Sequence, residues 1–526
     1  MTVILRNFDS LMFFNKSPIN KDETDVKKLQ HSMMRLKNFV SARRENLKAT
    51  KLSLLFAMGG IAFVLLIVVA SYGFMRGLSF NLPEMIVHNV TTVFGKDLKT
   101  DSLGHTNIMI VGVGGEKHDG PNLTDTIILA SINQKNDSIG LLSIPRDLYV
   151  EAPKVGATKI NGVYDLLLKK NHKDPLIPYT IEEQTAAMDG LKGLVENITG
   201  TEIGYYTKVD FTAFKEIVDH VGGVEVNVPE NFLDRQYPNQ TETGYETFFL
   251  KKGEQTLDGI TALKYARSRH STSDFDRASR QHIIIKALLT KMLQKETLMN
   301  PAALRRIYLS VSNNVTTDLD WREILKIADF ATVLKPDSIA SVVLHDDPSR
   351  TGGLLYSPNR AYFNGAAVLM AAGAAPAYPN DFKQIQLFAN MYFSNSSFFT
   401  HPPRVLVLNG TDEAGKRAPG VANEMKRFLQ KNGMSLVHVG DTPKLYTADS
   451  TMTYYFSDSQ KKEYEDAMSL LLPGQQLVFA PASDTIIDKA NASADIESML
   501  QDASDEYDVI VIIGNDYDNY LESPTS

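Results

Sequence analysis

The chain has 526 residues, of which 43% are hydrophobic and 22% are charged, and this ordinary globular composition excludes wholesale disorder. It has no cysteine, which excludes disulfides, thiolate zinc sites, iron–sulfur clusters and cysteine nucleophiles. Any metal must therefore be held by carboxylates, carbonyls or histidine, which favours magnesium, calcium or manganese. The net charge of −8 argues weakly against a nucleic-acid partner.

The charge is divided unevenly around one uncharged segment. Residues 1–51 hold 11 Lys and Arg against 5 Asp and Glu, residues 52–75 hold neither, and residues 76–526 hold 43 against 57. As a helix the uncharged segment would be about 36 Å long, enough to cross a hydrocarbon core of roughly 30 Å. A buried core helix and a cleaved signal peptide are the alternatives. The length and the lack of a polar stripe favour a transmembrane helix over both.

The basic residues before this segment predict its orientation. Six Lys and Arg within 35–51 are opposed by Glu45 alone, whereas Arg76 and Glu84 cancel just after the segment. The positive-inside rule therefore predicts a single-pass membrane protein with a cytoplasmic N-terminus.

The rest of the chain predicts two α/β domains. Short runs rich in Ile and Leu alternate with helical patterns, which is typical of a mixed sheet between helices, an α/β/α sandwich. A Pro-rich stretch separates them from a smaller α/β unit. The predicted divisions are a cytoplasmic tail (1–51), a transmembrane helix (52–75), a juxtamembrane connector (76–104), a first α/β domain (105–350), an extension and linker (351–402), a second α/β domain (403–518) and a tail (519–526).

The densest functional signal is a basic cluster, with five Lys and Arg against two Asp in residues 264–282. Guanidinium groups match phosphate oxygens bidentately, so the cluster suits a phosphate or pyrophosphate. A solvated face of salt bridges with Asp274 and Asp276 is the alternative. Two same-face groups are predicted, the first on a strand and the second on a helix: Arg267 with Arg269, and Arg277 with Arg280 and Gln281.

Further charged residues stand where predicted strands begin or end. Arg146 and Asp147 follow a strand closed by Pro145, which cannot continue a hydrogen-bonded ladder. Asp125 precedes another apolar strand, and Lys159 lies downstream. An acid, an arginine and a lysine at strand ends fit a metal-assisted phosphate site.

Two histidines, His270 and His282, flank the arginines and invite a role as general base. A histidine beside charged residues is more often a surface or helix-capping side chain, so a non-catalytic role is favoured for both.

Taken together, these segments resemble the LytR-CpsA-Psr family of bacterial cell-wall enzymes. The matching stretches follow the family's order over about 105–350: NIMIVGVGG, LTDTIILASI, LLSIPRDLYV, KINGVYD, DFTAFKEIVDHVGGVEVNVP and LDGITALKYARSRHSTSDFDRASRQ. A short tail before one apolar span is also similar to the family. Residues 403–518 resemble the LytR-type C-terminal domain that many members carry.

The resemblance implies transfer of a glycopolymer, with one phosphate, from an undecaprenyl-pyrophosphate carrier to peptidoglycan. It implies Mg²⁺ or Mn²⁺ as cofactor and a catalytic domain outside the cell membrane. The implied partners are the lipid-linked polymer, peptidoglycan and membrane lipid, without nucleic acid. Phosphoryl transfer needs charge neutralisation and positioning, and no Ser-His-Asp arrangement is visible in the sequence.

The resemblance also implies roles for single residues. Asp125 would bind the metal. Asp147 and Asp276 would either orient arginines or help to deprotonate the attacking sugar hydroxyl. The residues implied around the pyrophosphate are Arg146, Arg267, Arg269, Arg277 and Arg280, assisted by Gln281 and Lys159.

The chain departs from the family pattern at two places. Members commonly carry an Asp soon after the first strand's Gly as a second metal ligand, where this chain has Val113-Gly114-Gly115. An Arg often precedes the motif around Asp125, where this chain has Asn122-Leu123-Thr124. The replacement ligand would be Asp119 or Glu116, or with less support His118, unless the loop is a plain Gly-rich turn. A lipid-pyrophosphate hydrolase and a non-catalytic binder or regulator of wall polymers are therefore the alternative functions.

Overall fold

The computed structural model describes residues 97–519, apart from 116–119, 173, 175, 239–243, 269–273, 293–314, 414, 435, 444–446, 457–460, 480–502 and 504–505. The predicted tail 1–51 and transmembrane helix 52–75 lie outside the described residues. Among the helices that are described, none is long and apolar enough to cross a membrane.

Strands and helices alternate through the first part of the described chain. Its strands are β1 (His105–Val113), β2 (Thr124–Asn133), β3 (Ser138–Ile144), β4 (Tyr149–Ala152), β5 (Gly156–Lys159), β6 (Tyr205–Asp210), β7 (Val224–Val228), β8 (Phe232–Pro238), β9 (Tyr245–Leu250), β10 (Gly253–Leu257), β11 (Val315–Thr317), β12 (Ile339–Val343), β13 (Leu355–Tyr356) and β14 (Met370–Ala371). Its helices are α1 (Val163–Asn171), α2 (Ile181–Thr199), α3 (Phe211–His220), α4 (Gly259–Arg267), α5 (Asp274–Met292), α6 (Trp321–Val333), α7 (Lys383–Ser394) and α8 (Ser396–Thr400).

Six of these strands form one mixed sheet in the order β11-β6-β1-β2-β3-β12. Strand β1 is parallel to β6 and antiparallel to β2, which is antiparallel to β3, and β3 is parallel to β12. The carboxyl ends of β1, β3, β6 and β12 therefore meet the amino end of β2 at one edge of the sheet. The mixed α/β fold predicted from the sequence is confirmed.

Apolar layers cover both faces of this sheet. Successive side chains of a strand point to opposite faces, so the continuous Ile and Leu runs of β2 and β3 supply two apolar surfaces. Ile127 and Leu129 belong to a cluster with Leu191 of α2, whereas Ile128 belongs to a second cluster with Phe330 of α6. All three strand residues are fully buried.

A second α/β sheet follows. Its strands are β15 (Arg404–Asn409), β16 (Leu436–Asp441), β17 (Met452–Tyr455), β18 (Gln476–Phe479) and β19 (Val509–Ile513), with helices α9 (Val421–Lys431) and α10 (Lys461–Leu471). The strand order is β16-β15-β19-β17-β18, and only the β17–β19 pairing is antiparallel. The central strand, VIVII, is buried along its whole length, as a strand covered on both faces requires.

Candidate functional site

A cavity of about 240 Å³ opens at the sheet edge where β2 begins and β3 and β12 end. Its walls come from strand ends, from the turn after β3, from α5 and from the chain that follows β12. The lining residues are Asp125, Thr126, Ser143, Ile144, Pro145, Arg146, Asp147, Arg277, Gln281, Val343, Asp346, Ser357, Ala367, Val368 and Leu369. Five residues singled out from the sequence are among them: Asp125, Arg146, Asp147, Arg277 and Gln281.

The turn after β3 holds two of these side chains in place. Pro145 ends the strand because it has no N–H for the ladder. The Leu148 amide donates to the Pro145 carbonyl at 3.0 Å, and the Leu369 amide donates to the Asp147 carbonyl at 3.0 Å. The backbone that carries Arg146 and Asp147 is therefore tied down on both sides.

A network of alternating charges runs along this edge. Arg146 Nη1 donates to Asp125 Oδ1 at 2.8 Å, and Arg146 Nε lies 3.5 Å from Asp147 Oδ2. Lys159 Nζ donates to the other oxygen of Asp147 at 2.6 Å. The Asp125 side chain remains 38% exposed, whereas those of Arg146 and Asp147 are 18% and 17% exposed. The network orients these groups in advance, and Asp125 is its most open member.

Helix α5 contributes the second cationic wall. Arg277 and Gln281 are four residues apart, so they lie one above the other on the same helix face. Both line the cavity, and Arg277 is buried to 7% exposure. Two guanidinium groups from different elements therefore meet at one cavity, an arrangement that suits phosphate oxygens.

Arg280 points elsewhere. Its Nε donates to the Tyr265 carbonyl at 2.9 Å, its Nη2 donates to the Ser268 carbonyl, and its guanidinium lies 4.8 Å from the centre of the Phe232 ring. It is buried and does not line the cavity. Arg280 thus ties α5 to the end of α4.

Arg267 also stands apart from the cavity lining. The expectation that it lies on a strand is wrong, because Arg267 is the last residue of α4. Asp258 caps that helix by accepting from the Thr261 amide at 2.7 Å. The Arg267 guanidinium lies 4.3 Å from the centre of the Phe211 ring. It also faces Tyr237, whose pKa is raised by burial against the opposing effect of Arg267.

Several predicted residues lie outside the described residues: Glu116, His118, Asp119, Arg269 and His270. Asp276 lies in the first turn of α5, and its side chain is also outside the description. His282 is described and buried, with Nδ1 against the Ser341 hydroxyl of β12. Burial lowers the pKa of His282 to about 4. His282 packs against the sheet and does not line the cavity.

The described residues could hold a metal ion only if oxygen atoms of the substrate complete its coordination. Among them, no group of three or more acidic or histidine side chains could hold an ion. Mg²⁺, however, is commonly held by one or two carboxylates and completes its coordination with substrate phosphates and water. Asp125, partly exposed at the cavity, fits that role.

Sequence reasoning missed four polar residues of the lining, Thr126, Ser143, Asp346 and Ser357. The Ser357 hydroxyl donates to Asp346 Oδ2 at 2.8 Å. Asp346 comes shortly after β12, so the strand-end signal that identified Arg146 could have identified it. No comparable signal marks Ser357, because it reaches the cavity through the fold of residues 346–357.

Comparisons with known proteins agree with the motifs. The LytR_cpsA_psr family model matches residues 86–367, more than half of the chain. The chain is 31% identical over 254 residues to the cell wall biosynthesis protein LcpA of Corynebacterium glutamicum, covering 46% of each protein. It is 32% identical over 246 residues to the polyisoprenyl-teichoic acid–peptidoglycan teichoic acid transferase TagV of Bacillus subtilis, covering 46% of this chain and 55% of TagV.

The matches span about half the length of these curated relatives. The crystal structure of B. subtilis TagV is similar at 24% identity with a TM-score of 0.41, covering 55% of this chain and 97% of the TagV chain. On the strength of the family model, this chain belongs to the LytR-CpsA-Psr family.

Proposed function

We propose that this protein transfers a phosphoglycopolymer from an undecaprenyl-pyrophosphate carrier to peptidoglycan. The observation that carries the proposal is the convergence of Arg146 and Arg277 with Asp125 at one cavity. Guanidinium pairs bind the oxygens of a pyrophosphate, and a carboxylate beside them suits a metal that the phosphates share. TagV, whose name describes such a transfer of teichoic acid, supports the same reaction class.

In this reaction the hydroxyl of a peptidoglycan sugar attacks the phosphorus on the polymer side of the pyrophosphate. Arg146 and Arg277 neutralise the charge that accumulates on the phosphate oxygens, and Gln281 donates a further hydrogen bond. A magnesium ion held by Asp125 would add positive charge beside those oxygens. Lys159 keeps Asp147 oriented, and Asp147 in turn orients Arg146.

The remaining sequence-based assignments belong to this proposal. Arg280 acts by positioning α5, because its donors are committed to carbonyls of the preceding helix and its C-terminal cap. Arg269 and Asp276 complete the phosphate site as the resemblance implies, and Asp119 would supply a second metal ligand. Arg267 would join them only by leaving the Phe211 ring, because it does not line the cavity. The chain is anchored in the cell membrane by residues 52–75, with residues 105–350 and the LytR-type domain 403–518 outside.

The test uses the full-length chain reconstituted in nanodiscs. The chain is given a lipid-pyrophosphoryl oligosaccharide, with or without peptidoglycan oligomers and with or without Mg²⁺. A Mg²⁺-dependent oligosaccharide–peptidoglycan product and free undecaprenyl phosphate are expected. Release of phosphorylated oligosaccharide at the same rate without acceptor would identify a hydrolase, and binding without turnover would identify a non-catalytic binder.

A further inference from the structure

Three carboxylates line the cavity, and they differ in their partners. Asp125 is bound to Arg146, and Asp147 lies between Arg146 and Lys159. Asp346 instead accepts a hydrogen bond from the neutral Ser357 hydroxyl at 2.8 Å. Within the described part of the chain, no lysine or arginine forms an ion pair with Asp346. No lysine or arginine therefore engages its oxygens directly, although Arg146 and Arg277 line the same cavity and His345 is its neighbour in the chain.

This difference decides which carboxylate has an oxygen available to an incoming hydroxyl. Asp147 has a cation beside each of its oxygens, at 2.6 Å and 3.5 Å. Asp346 uses Oδ2 for the Ser357 hydroxyl, and its Oδ1 has no hydrogen bond to another described residue. Asp346 can therefore accept a hydrogen bond from a sugar hydroxyl without giving up an ion pair.

The backbone that leads into Asp346 is fixed by hydrogen bonds at the two preceding residues. The Leu344 amide donates to the Ser143 carbonyl of β3 at 3.0 Å, which continues the β3–β12 pairing past the end of β12. His345 donates from its amide to the Gly352 carbonyl at 2.9 Å and accepts at its own carbonyl from the Leu355 amide at 3.0 Å. Asp346 is thus held at the sheet edge, one strand away from the turn that carries Arg146.

We propose that Asp346 is a catalytic residue that binds the acceptor sugar hydroxyl and takes its proton; this inference rests on the proposed function. The hydroxyl oxygen forms a bond to the polymer-side phosphorus, and the bond from that phosphorus to the bridging oxygen breaks. The electron pair of the broken bond leaves with undecaprenyl phosphate. The proton passes to Asp346 and then to water. Ser357 is a positioning residue that orients the carboxylate.

The central experiment compares Asp346→Asn with Asp347→Asn in the full-length chain. Asp347 is the matched control, because its carboxylate accepts from the Ser349 amide at 3.0 Å and hydroxyl at 2.6 Å and does not line the cavity. For Asp346→Asn we expect kcat of transfer to fall by about 10²–10⁴-fold, the usual contribution of a general base. The Kd of the lipid-linked donor should stay within about twofold in both variants, as should kcat in Asp347→Asn.

The Ser357→Ala variant provides a second measurement. Loss of the hydroxyl removes the donor that orients the Asp346 carboxylate, so kcat of transfer should fall by about tenfold, the worth of one hydrogen bond, while the Kd of the lipid-linked donor stays within about twofold. Should Asp346→Asn fail to fold, an unchanged kcat in Ser357→Ala would still overturn the proposal.

The possible failures can be told apart. An active wild type together with an Asp346→Asn variant that keeps more than a tenth of its activity overturns the role of Asp346 alone. Loss of donor binding in Asp346→Asn would also overturn it, by making Asp346 a donor ligand. A wild-type chain that forms no product overturns the proposed function and this inference together.

Discussion

Arg146 contacts two carboxylates that come from different parts of the sheet edge, Asp125 at the start of β2 and its neighbour Asp147. Only a planar guanidinium can reach both while it keeps donors for a phosphate, because a lysine ammonium is a single point of charge. We therefore expect Arg146→Lys to lower kcat of the proposed transfer by about 10²–10³-fold. The measurement is product formation by the full-length chain under saturating donor.

Arg404→Lys is the matched control for this change. Arg404 also pairs with an aspartate, Asp508, at 3.0 Å, but it lies 49% exposed at the start of β15 and away from the cavity. Its replacement should leave transfer unchanged within about twofold, since exposed pairs contribute little. Equal losses in the two variants would mean that the effect does not come from the cavity.

His282 makes stability depend on pH. Burial lowers its pKa to about 4, and its Nε2 has no hydrogen-bond partner among the described residues. Between about pH 6.5 and 4 the unfolded chain binds a proton that the folded chain does not, so the free energy of unfolding rises with pH in this window. His282→Gln removes the titration. The pH slope should then fall by up to about 1.4 kcal/mol per pH unit, measured by urea unfolding between pH 4.5 and 6.

The same titrations contain their own control. Above about pH 7.5 the imidazole is neutral in both states, so the variant and wild-type slopes should coincide there. An unchanged slope at acidic pH would contradict the burial of His282 against β12.

Strand-end residues were the most predictable part of the site. Arg146, Asp147 and Asp125 flank apolar runs, and a sheet brings the ends of neighbouring strands together whatever the loops do. The helix was harder to predict, because three residues of spacing turn a side chain by about 60° and four by about 40°. The two turns have opposite senses, so Arg280 and Gln281 point about 100° apart. That angle separates Arg277 and Gln281, which line the cavity, from Arg280, which binds carbonyls.

At the scale of secondary structure, capping decides where α4 begins. The sequence prediction read the stretch around Arg267 as a strand, although Asp258 stands at the N-cap and the later run Ala262-Leu263-Lys264 consists of good helix formers. The apolar strands needed no such detail, since β2 and β3 are continuous runs of Ile and Leu. The apolar pattern and the length of the run are enough to predict such strands. The prediction of a short amphipathic helix depends on recognising the residue that caps it.

Two helical glycines test how closely helices approach each other. A Cβ on Gly259 would lie 2.3 Å from the Lys215 carbonyl oxygen of α3, whereas a Cβ on Gly193 of α2 would meet nothing within 4 Å. We expect Gly259→Ala to destabilise by several kcal/mol, because backbone cannot yield as a side chain can. Gly193→Ala should stabilise by about 0.5–1 kcal/mol through helix propensity.

Thermal unfolding of the two variants provides the measurement. Both changes add one methyl group to a helix, so any difference in Tm reports the surroundings. A Gly259→Ala variant as stable as wild type would show that α3 and α4 are not in close contact at this point.

At the scale of the molecule, the second sheet supports the chain that carries Asp346. The Gly352 amide donates to the Lys431 carbonyl of α9 at 2.9 Å, and Lys431 Nζ donates to Gln384 of α7 at 3.1 Å. Residues 351–402, predicted as an extension and linker, hold α7, whose Phe388 and Tyr392 are fully buried. Their partners are distant in sequence: the Tyr392 hydroxyl accepts from the Leu141 amide of β3 at 3.0 Å. Local sequence patterns carry no information about such contacts.

Gly433 allows this long-range packing to be tested. It has φ +108, and a Cβ there would lie 2.3 Å from the Phe399 ring of α8. That ring packs edge-on against Tyr392, with the ring centres 4.7 Å apart. Gly474 is the matched control, with φ +87 and nothing within 4 Å of its Cβ. Alanine at either position costs about 1–2 kcal/mol for the left-handed backbone, so the difference between the two isolates the contact with Phe399.

We expect Gly433→Ala to destabilise by about 1–3 kcal/mol more than Gly474→Ala, the usual cost of overpacking. Side chains from both sheets, among them Leu142 and Val511, belong to one buried cluster, so the two sheets should unfold together. Scanning calorimetry of the full-length chain should therefore show one transition that Gly433→Ala moves to lower temperature as a whole. A transition that splits, with only the second sheet destabilised, would mean that the sheets unfold independently. The chain that holds Asp346 would then not depend on the second sheet for its stability.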